Sequence, residues 1–470
     1  MSGETQVLYD LVDKYSDLMI SSLCESLKIP SKKEPPSGDN APFGLPIRRA
    51  LDHTLNLCSQ LGFSVKDVDG YAGHAEFGSG NEYVAAIGHL DVVPEGVGWT
   101  KPPFGAVIEN GFIYARGAAD DKGPLYAALF AAKALMDSGL PLKRRVRVIF
   151  GCDEESGFGC VDYYWNKAKE ERPSLAFSPD AEFPLIYAEK GISNLSLEME
   201  IPVREVGLRV DSAMGGERPN MVPDRAEAVI KGNPAELYET AVKINQFWDA
   251  NLSYTLEPDC IKITVKGKSA HGSTPDNGDN AVARLMKILL TLDLKEDKAW
   301  IQATLDAADS AGRKLGLDGS DDVSGELTSN LGIFEIKDGK ALLTLNIRYP
   351  VTWDIEEKMK ECSTKIEKLG WKVANFTDSK PLYVPLDKEP VKSLLEIYRQ
   401  ETGDYESKPI TMGGGTYARS TPKAVAYGPH FPGGEDGPAH ERDERVSINN
   451  LIKAAKIYAH ALYKLANAED

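Results

Sequence analysis

The chain has 470 residues, an apolar fraction of 42% and a charged fraction of 27%, the composition of a soluble globular protein long enough for two or more cores. Its net charge of −17, from 71 acids against 54 bases, argues against a nucleic-acid surface, which neutralises phosphates with clustered Lys and Arg. The same balance argues against docking on an anionic membrane.

Near the N-terminus, Leu8, Leu11, Val12, Tyr15, Leu18 and Met19 recur at helical spacing. Acids interrupt this stretch and no basic segment precedes an uninterrupted apolar core, so it reads as a helix rather than a signal peptide. No run approaches the roughly 18 apolar residues of a membrane span. The six cysteines, Cys24, Cys58, Cys152, Cys160, Cys260 and Cys362, show no C-x-x-C pairing. They are expected to be reduced thiols, mostly buried, in a cytoplasmic protein.

Over residues 1–190 strands alternate with helices, the pattern of a mainly parallel sheet covered by helices. Tyr83 to Ile87 forms a short apolar strand leading into "GHLDVVP". A helix follows "RGAADDKG", with Pro124 near its start and Gly139 at its end. The segments "RRVRVIF" and "SLAF" are two further strands. Polar residues stand at the C-terminal ends of these strands, where ligands gather in open α/β sheets.

Residues 191–381 change texture. Alternating strands such as "CIKITVKG", a hairpin signal at Asp338-Gly339 and amphipathic helices such as "NAVARLMKILLTL" predict an inserted α+β lid domain. Residues 382–470 return to the first domain, closing on the helix "NNLIKAAKIYAHALYKLA". No internal repeat is visible.

The stretch "VRVIFGCDEESGFG" runs an apolar strand into Asp153, Glu154 and Glu155. Adjacent carboxylates at a strand mouth repel one another and lose hydration, which raises their pKa values unless cations neutralise them; the alternative is a solvated loop. His89 and Asp91 are two apart and so share a side of an extended segment. The imidazole can bind a metal while Asp91 holds its other nitrogen, or the pair is a capping Asp beside a surface His. Asp120, before a helix, and Asp180, after a strand, are equally open to plain capping or turn roles. His89, His271 and His440 sit in short Gly/Pro/Ala-flanked segments, whereas His53, His74, His430 and His460 suit core or surface positions. Two His and several carboxylates at different strand ends suit divalent Zn²⁺, Mn²⁺ or Co²⁺, and more than one ion.

The segments "GHLDVVP", "ARGAADDKG", "DEESG", "SPDAEFP", "SAHGSTPDNGDNA" and "PAHERDE" resemble, in order and spacing, the dinuclear metallopeptidases that include succinyl-diaminopimelate desuccinylase, acetylornithine deacetylase and glutamate carboxypeptidase. The likeness is strongest to the bacterial dipeptidase V branch, the Xaa-His or β-alanyl dipeptidases. It implies two divalent metal ions, zinc first with manganese or cobalt as alternatives. His89 and Asp180 would hold one, Glu155 and His440 the other, and Asp120 would bridge them. Asp91 would orient His89, and the Asp120-Asp121 peptide would be cis. Glu154 would be the general base toward a metal-bridging water, and His271 would stabilise the oxyanion. Asn220, Arg348 and the backbone around Gly414 in "TMGGGTYAR" would bind substrate, glycine serving there through its freedom in φ. Asp153 matches the family without an assigned role. Asp443 departs from the family's usual Asn at that place, which bears on the loop around His440.

The resemblance thus implies a metal-dependent dipeptidase acting on dipeptides with a free C-terminal carboxylate, working as a monomer because the enlarged lid supplies His271 within one chain. Two rival readings stay open: an N-acyl amino acid deacylase of the same fold, and a catalytically silent metal- or peptide-binding homologue.

Overall fold

The computed structural model describes residues 3–246 and 250–469. The chain divides into two compact units. The first runs to Ala188 and resumes over Leu382–Thr411 and from Gly415; the second comprises Glu189–Pro381 and Met412–Gly414.

The first unit is built on a mixed sheet in which Arg145–Gly151, Tyr83–His89, Leu175–Ser178 and Ala424–Ala426 lie side by side in that order, all parallel. The parallel part is confined to these four strands. Ala72–Phe77 pairs antiparallel with Arg145–Gly151, and Ile186–Glu189 antiparallel with Ala424–Ala426. All seven residues of Tyr83–His89 are buried, as a strand covered on each face requires. Gly73 faces Leu51 and Leu55 of the helix Leu45–Gln60, while its neighbour His74 meets Tyr164 of the segment Gly159–Lys167 on the opposite face. The helix Lys122–Ser138 shares the first of these faces, tied to Leu45–Gln60 by Thr54 and Tyr126 hydroxyls 3.2 Å apart.

That helix starts on Asp121 and stops at Gly139, which takes φ 66, the left-handed geometry that ends many helices. Pro124 occupies its third position, where no N–H is needed inside the helix. The N-terminal helix Gly3–Leu27 buries Leu8, Val12, Met19 and Leu23, whereas Leu18 from the same pattern is exposed. Among the described residues no helix is long and apolar enough to cross a membrane. Five of the six free cysteines are buried, Cys24 only partly.

The second unit is an antiparallel sheet of eight strands with helices packed on it. Its spatial order is Leu252–Leu256, Cys260–Lys266, Arg225–Lys231, Arg209–Gly215, Thr328–Lys337, Lys340–Tyr349, Gly191–Glu200 and Lys372–Ser379. Ile261, Ile263 and Val265 are buried and alternate with more exposed neighbours. The hairpin between Thr328–Lys337 and Lys340–Tyr349 turns at Asp338 (φ 50) and Gly339 (φ 74), the paired positive φ values of a two-residue type I′ turn. Asn280 caps the helix Ala281–Leu290 by accepting from the Val282 and Ala283 N–H groups.

This sheet contains a duplication that the linear pattern conceals. Gly191–Glu200, the helix Lys298–Ala307, Thr328–Lys337, Lys340–Tyr349, the helix Ile355–Lys368 and Lys372–Ser379 form one β-α-β-β-α-β half, its strands standing second, third, first, fourth. Arg225–Lys231, the helix Pro234–Gln246, Leu252–Leu256, Cys260–Lys266 and the helix Ala281–Leu290 repeat that order, with Arg209–Gly215 in the fourth place although it comes first in the chain. The halves join where Met214 and Gly215 pair with Glu335 and Phe334.

Candidate metal centre and active site

The parallel strands of the first unit deliver their C-terminal ends to one place. His89 is the last residue of its strand; Asp153, Glu154 and Glu155 follow Gly151, and Asp180 follows Ser178. Glu154 and Glu155 lie in a turn beyond the strand end, so the opposite facing of successive strand residues does not apply to them. The chain bends just after, at Gly157 (φ 156) and Phe158 (φ 61). Asp153 stabilises this turn: its carboxylate accepts from the Gly159 N–H at 3.0 Å and the Ser156 hydroxyl at 2.6 Å and pairs with Lys33 at 2.7 Å.

Asp120 is the centre of the cluster. One of its carboxylate oxygens is 3.0 Å from His89 Nε2 and the other is 3.0 Å from His440 Nε2. His440 Nε2 is also 3.0 Å from a Glu155 oxygen, and His89 Nε2 is 3.7 Å from Asp180. Ligand-type atoms of His89, Asp120 and Glu155 lie within 4.8 Å of one another, as do those of His89, Glu154 and Asp180. The structure therefore brings together all five residues expected to hold metal, with Glu154 among them. The Asp120-Asp121 peptide is cis.

Four carboxylates share this pocket with two imidazoles, and the charges shift the protonation of His89, Glu154 and His440. Against burial, a hydrogen bond to the Asp120 carboxylate and the charge of Asp180 push His89 well above its ordinary value. Hydrogen bonds to Asp120 and Glu155 push His440 up to about 11. Burial, then the charge of Asp180, pushes Glu154 well above the usual carboxylate range. A donor set of neutral imidazoles and carboxylates with surplus negative charge is what divalent first-row cations bind, so these residues fit such ions.

Asp91 differs from expectation in how it acts. The nearest acceptor to His89 Nδ1 is the Asp91 main-chain carbonyl at 2.9 Å, while the carboxylate stands 3.6 Å away. The carboxylate instead accepts the main-chain N–H groups of Glu154 and Glu155, each at 3.1 Å. Asp91 thus holds His89 with its backbone and the two glutamates with its side chain. Burial lifts its pKa to about 6.

Three positioning groups escaped the sequence reading. Glu444 is buried, accepts from the Ala119 and Asp120 N–H groups at 2.9 and 3.2 Å, and pairs with buried Arg116 at 2.5 Å. Lys122 is fully buried and donates to the carbonyls of Ser26 and Ile29, each at 2.9 Å, anchoring the turn after Asp120. Burial pulls its pKa down to about 7. The Tyr417 hydroxyl accepts the Asp153 N–H at 3.2 Å and contacts Cys160 Sγ at 2.8 Å. Only Glu444 carried a local signal, its place in the "AHERDE" segment. Asp443 beside it adopts φ 57 and accepts from Thr100 N–H and Oγ at 2.7 and 3.1 Å. An Asp fills this left-handed position as an Asn does.

Within the second unit the remaining candidates form two groups. Asn220 lies in a turn bonded to the His271 segment: Gly272 N–H donates to the Asn220 carbonyl at 2.7 Å, and Met221 bridges His271. The Ser273 N–H donates to His271 Nδ1 at 3.2 Å. The Ser273 hydroxyl stands closer to the same nitrogen, at 2.6 Å, so Ser273 holds the ring by both its main chain and its side chain. Arg348, read from sequence on the polar side of its strand, is buried there; its Nε donates to Asn346 at 2.8 Å and a terminal nitrogen to the Gly413 carbonyl at 2.6 Å. Gly414 is next to that carbonyl. Gly413, Gly414 and Gly415 lie outside the positive-φ region, so freedom in φ is not what they contribute. A Cβ on Gly413 would stand 2.8 Å from Ser273 Cβ, and one on Gly414 2.5 Å from the Met412 side chain. Close approach to Ser273 favours glycine at Gly413, whereas the Met412 side-chain end near Gly414 can move aside.

Residues 85–464 match the family model described as Peptidase family M20/M25/M40. A Bacillus subtilis protein named "Putative dipeptidase YtjP" is 41% identical over 467 residues, 97% of this chain and 99% of that one. A similarly named Staphylococcus saprophyticus protein is 36% identical over 98% of this chain and 99% of its own. Among solved structures, the Saccharomyces cerevisiae dipeptidase Dug1p shares the fold with a TM-score of 0.58 at 17% identity, covering 100% of each chain. Human carnosine dipeptidase 1 does so with 0.56 at 15% identity, over 99% of this chain and 100% of that one. The converging strand ends, the acid-rich cluster and these matches together identify the chain as a member of peptidase family M20/M25/M40, and hence a metal-dependent hydrolase.

Proposed function

We propose that the protein is a dipeptidase that cleaves dipeptides bearing a free C-terminal carboxylate. The observation that carries the reading is Asp120, whose two oxygens each stand 3.0 Å from a different imidazole, His89 on one side and His440 on the other. Such a carboxylate could serve both of two cations: His89 and Asp180 would hold one and Glu155 and His440 the other, with zinc, manganese and cobalt all suited to the donors. When bound in such a site, divalent ions supply Lewis acidity toward a carbonyl and lower the pKa of water.

The chain's own groups supply the rest. Glu154 accepts a proton at its carboxylate and passes it to the departing amine, a role supported by its upward-shifted pKa and by its fixed main chain. The His271 Nε2–H donates to the carbonyl oxygen as it gains negative charge, a role supported by the Ser273 contacts that hold the ring at its other nitrogen. Arg348 pairs with the substrate carboxylate, and Asn220 and the backbone at Gly414 orient the peptide. The naming of the two bacterial relatives as dipeptidases favours peptide over acyl substrates. A monomer is part of the same reading; sedimentation of the metal-loaded protein checks it.

The test is an activity panel on metal-reconstituted protein. β-Ala-His and Ala-Xaa dipeptides are compared with N-acetyl and N-succinyl amino acids in zinc, manganese and cobalt. Faster hydrolysis of the dipeptides is expected. Preference for the acylated series would make the protein a deacylase, and no turnover on either series would make it a silent homologue.

A further inference from the structure

The polar side of the second unit's sheet carries a row of three asparagines in register across adjacent strands: Asn194 opposite Asn346, and Asn346 opposite Asn330. All but Asn194 are buried. Asparagine is uncommon inside a sheet and costs stability unless its amide is satisfied, so what each amide holds is informative.

Asn330 donates its two amide hydrogens to the carbonyls of Pro219 and Met221, each at 2.8 Å. These carbonyls flank Asn220, and Met221 in turn bridges His271. Because two carbonyls face the same amide nitrogen, its orientation is set by chemistry. The Asn330 oxygen is buried without a partner, so this residue is retained at a cost for its two donors. Gly332 assists: the strand is irregular there, and a Cβ on Gly332 would stand 2.2 Å from the Pro219 carbonyl oxygen.

Asn346 does something different one strand away. Its oxygen accepts from Arg348 Nε at 2.8 Å, and its nitrogen donates to the Asn194 oxygen at 2.8 Å. Arg348 then reaches the Gly413 carbonyl. Paired residues on neighbouring strands therefore anchor different groups, the Asn220–His271 loop and the guanidinium of Arg348.

We propose that Asn330 and Asn346 are positioning residues with divided tasks: Asn330 sets His271 for the transition state, and Asn346 sets Arg348 for the substrate carboxylate. The assignment rests on the roles given to His271 and Arg348 above. A donor needed only as charge develops affects kcat, whereas a contact made equally in ground and transition states affects KM.

Substitutions that remove the groups used at each position separate the tasks. Asn330→Asp removes both donors and is expected to lower kcat about tenfold or more with KM within about twofold. Asn346→Leu removes the acceptor for Arg348 and is expected to raise KM about tenfold on dipeptides but not on dipeptide amides, which lack the carboxylate. Asn330→Ser is the second variant at that site should Asn330→Asp fail to fold, with the same kcat loss expected. His271→Ala and Arg348→Met are run beside them on metal-loaded protein. If these controls lose kcat and KM respectively but the asparagine variants do not follow, the proposal fails while the functional reading stands. If the controls themselves show no such losses, the reading fails and takes the proposal with it. Equal kcat and KM effects at positions 330 and 346 would reduce the row to ordinary packing and overturn the division.

Discussion

Glu444 and Asp120, 324 positions apart in the chain, are joined by a 3.2 Å hydrogen bond from the Asp120 main-chain N–H to the Glu444 carboxylate. Glu444 follows His440 by four residues, so one buried carboxylate couples the loop of His440 to the turn of Asp120. Its other oxygen pairs with Arg116, which is 2% exposed. Glu444→Gln turns a donor toward Arg116 and leaves a buried guanidinium without its counter-charge, expected to cost about 3–5 kcal/mol. Metal affinity is expected to fall by about 10–100-fold, as for other groups that orient ligands. Denaturant unfolding and calorimetric zinc titration check these; unchanged zinc affinity would remove Glu444 from the metal site.

Glu154→Gln removes the proposed proton acceptor while preserving shape. The variant is expected to bind metal as the wild type does and to lose kcat by about 10²–10⁴-fold. Turnover and metal content are measured on the same preparation. Near-normal turnover with metal bound would show that another group moves the proton.

Chelation tests the surplus of charge in the cluster. Asp120, Glu154, Glu155 and Asp180 meet within the span of two imidazoles, so cation binding to the folded state alone is expected to stabilise it by about 2.7 kcal/mol at a hundredfold excess over Kd. The unfolding midpoint should drop on dialysis against a chelator and recover when zinc or manganese is restored. An unmoved midpoint would argue that these side chains hold no cation.

His74 predicts an acid-sensitive step away from the metal centre. It is 6% exposed, its Nδ1 lies 2.7 Å from the Tyr164 hydroxyl, and Arg147, on the neighbouring strand, donates to that hydroxyl at 3.0 Å. Burial, then the charges of Arg147, Lys66 and Arg145, pulls its pKa from 6.5 down to about 3. The unfolded chain therefore binds a proton that the folded one excludes between about pH 6.5 and pH 3. The stability is present above pH 6.5 and is lost as pH falls through that window, by at most about 1.4 kcal/mol per pH unit from this group. His74→Gln should flatten the acid limb of stability against pH relative to wild type. Parallel acid limbs would assign the loss elsewhere.

The residues that bear chemistry were legible because their signals are local. An apolar strand ending in acids, a His and an Asp two apart, and a helix opening after Asp120 and Asp121 are short patterns set by strand period and capping, and their order along the chain carried the family resemblance. Ile261, Ile263 and Val265 pointed to one buried face for the same reason, and the hairpin at Asp338 and Gly339 followed from its turn residues. The duplication in the second unit was hidden because one half sits inside the other in sequence, with the fourth strand of that half coming first.

What the sequence by itself determined is which atoms are available and at which strand ends and turns they emerge, since backbone period and turn chemistry act over a few residues. Tertiary structure alone decided what those atoms meet. It turned the Asp91 carboxylate to the Glu154 and Glu155 N–H groups rather than to the His89 ring, and it brought Glu444 beneath Asp120, Lys122 under the carbonyls of Ser26 and Ile29, and Asn330 against Pro219 and Met221. Each of these contacts joins residues 63 to 325 positions apart, beyond anything a strand or helix period could relate. Buried polar groups must find partners wherever packing leaves them, and packing is a property of the whole chain.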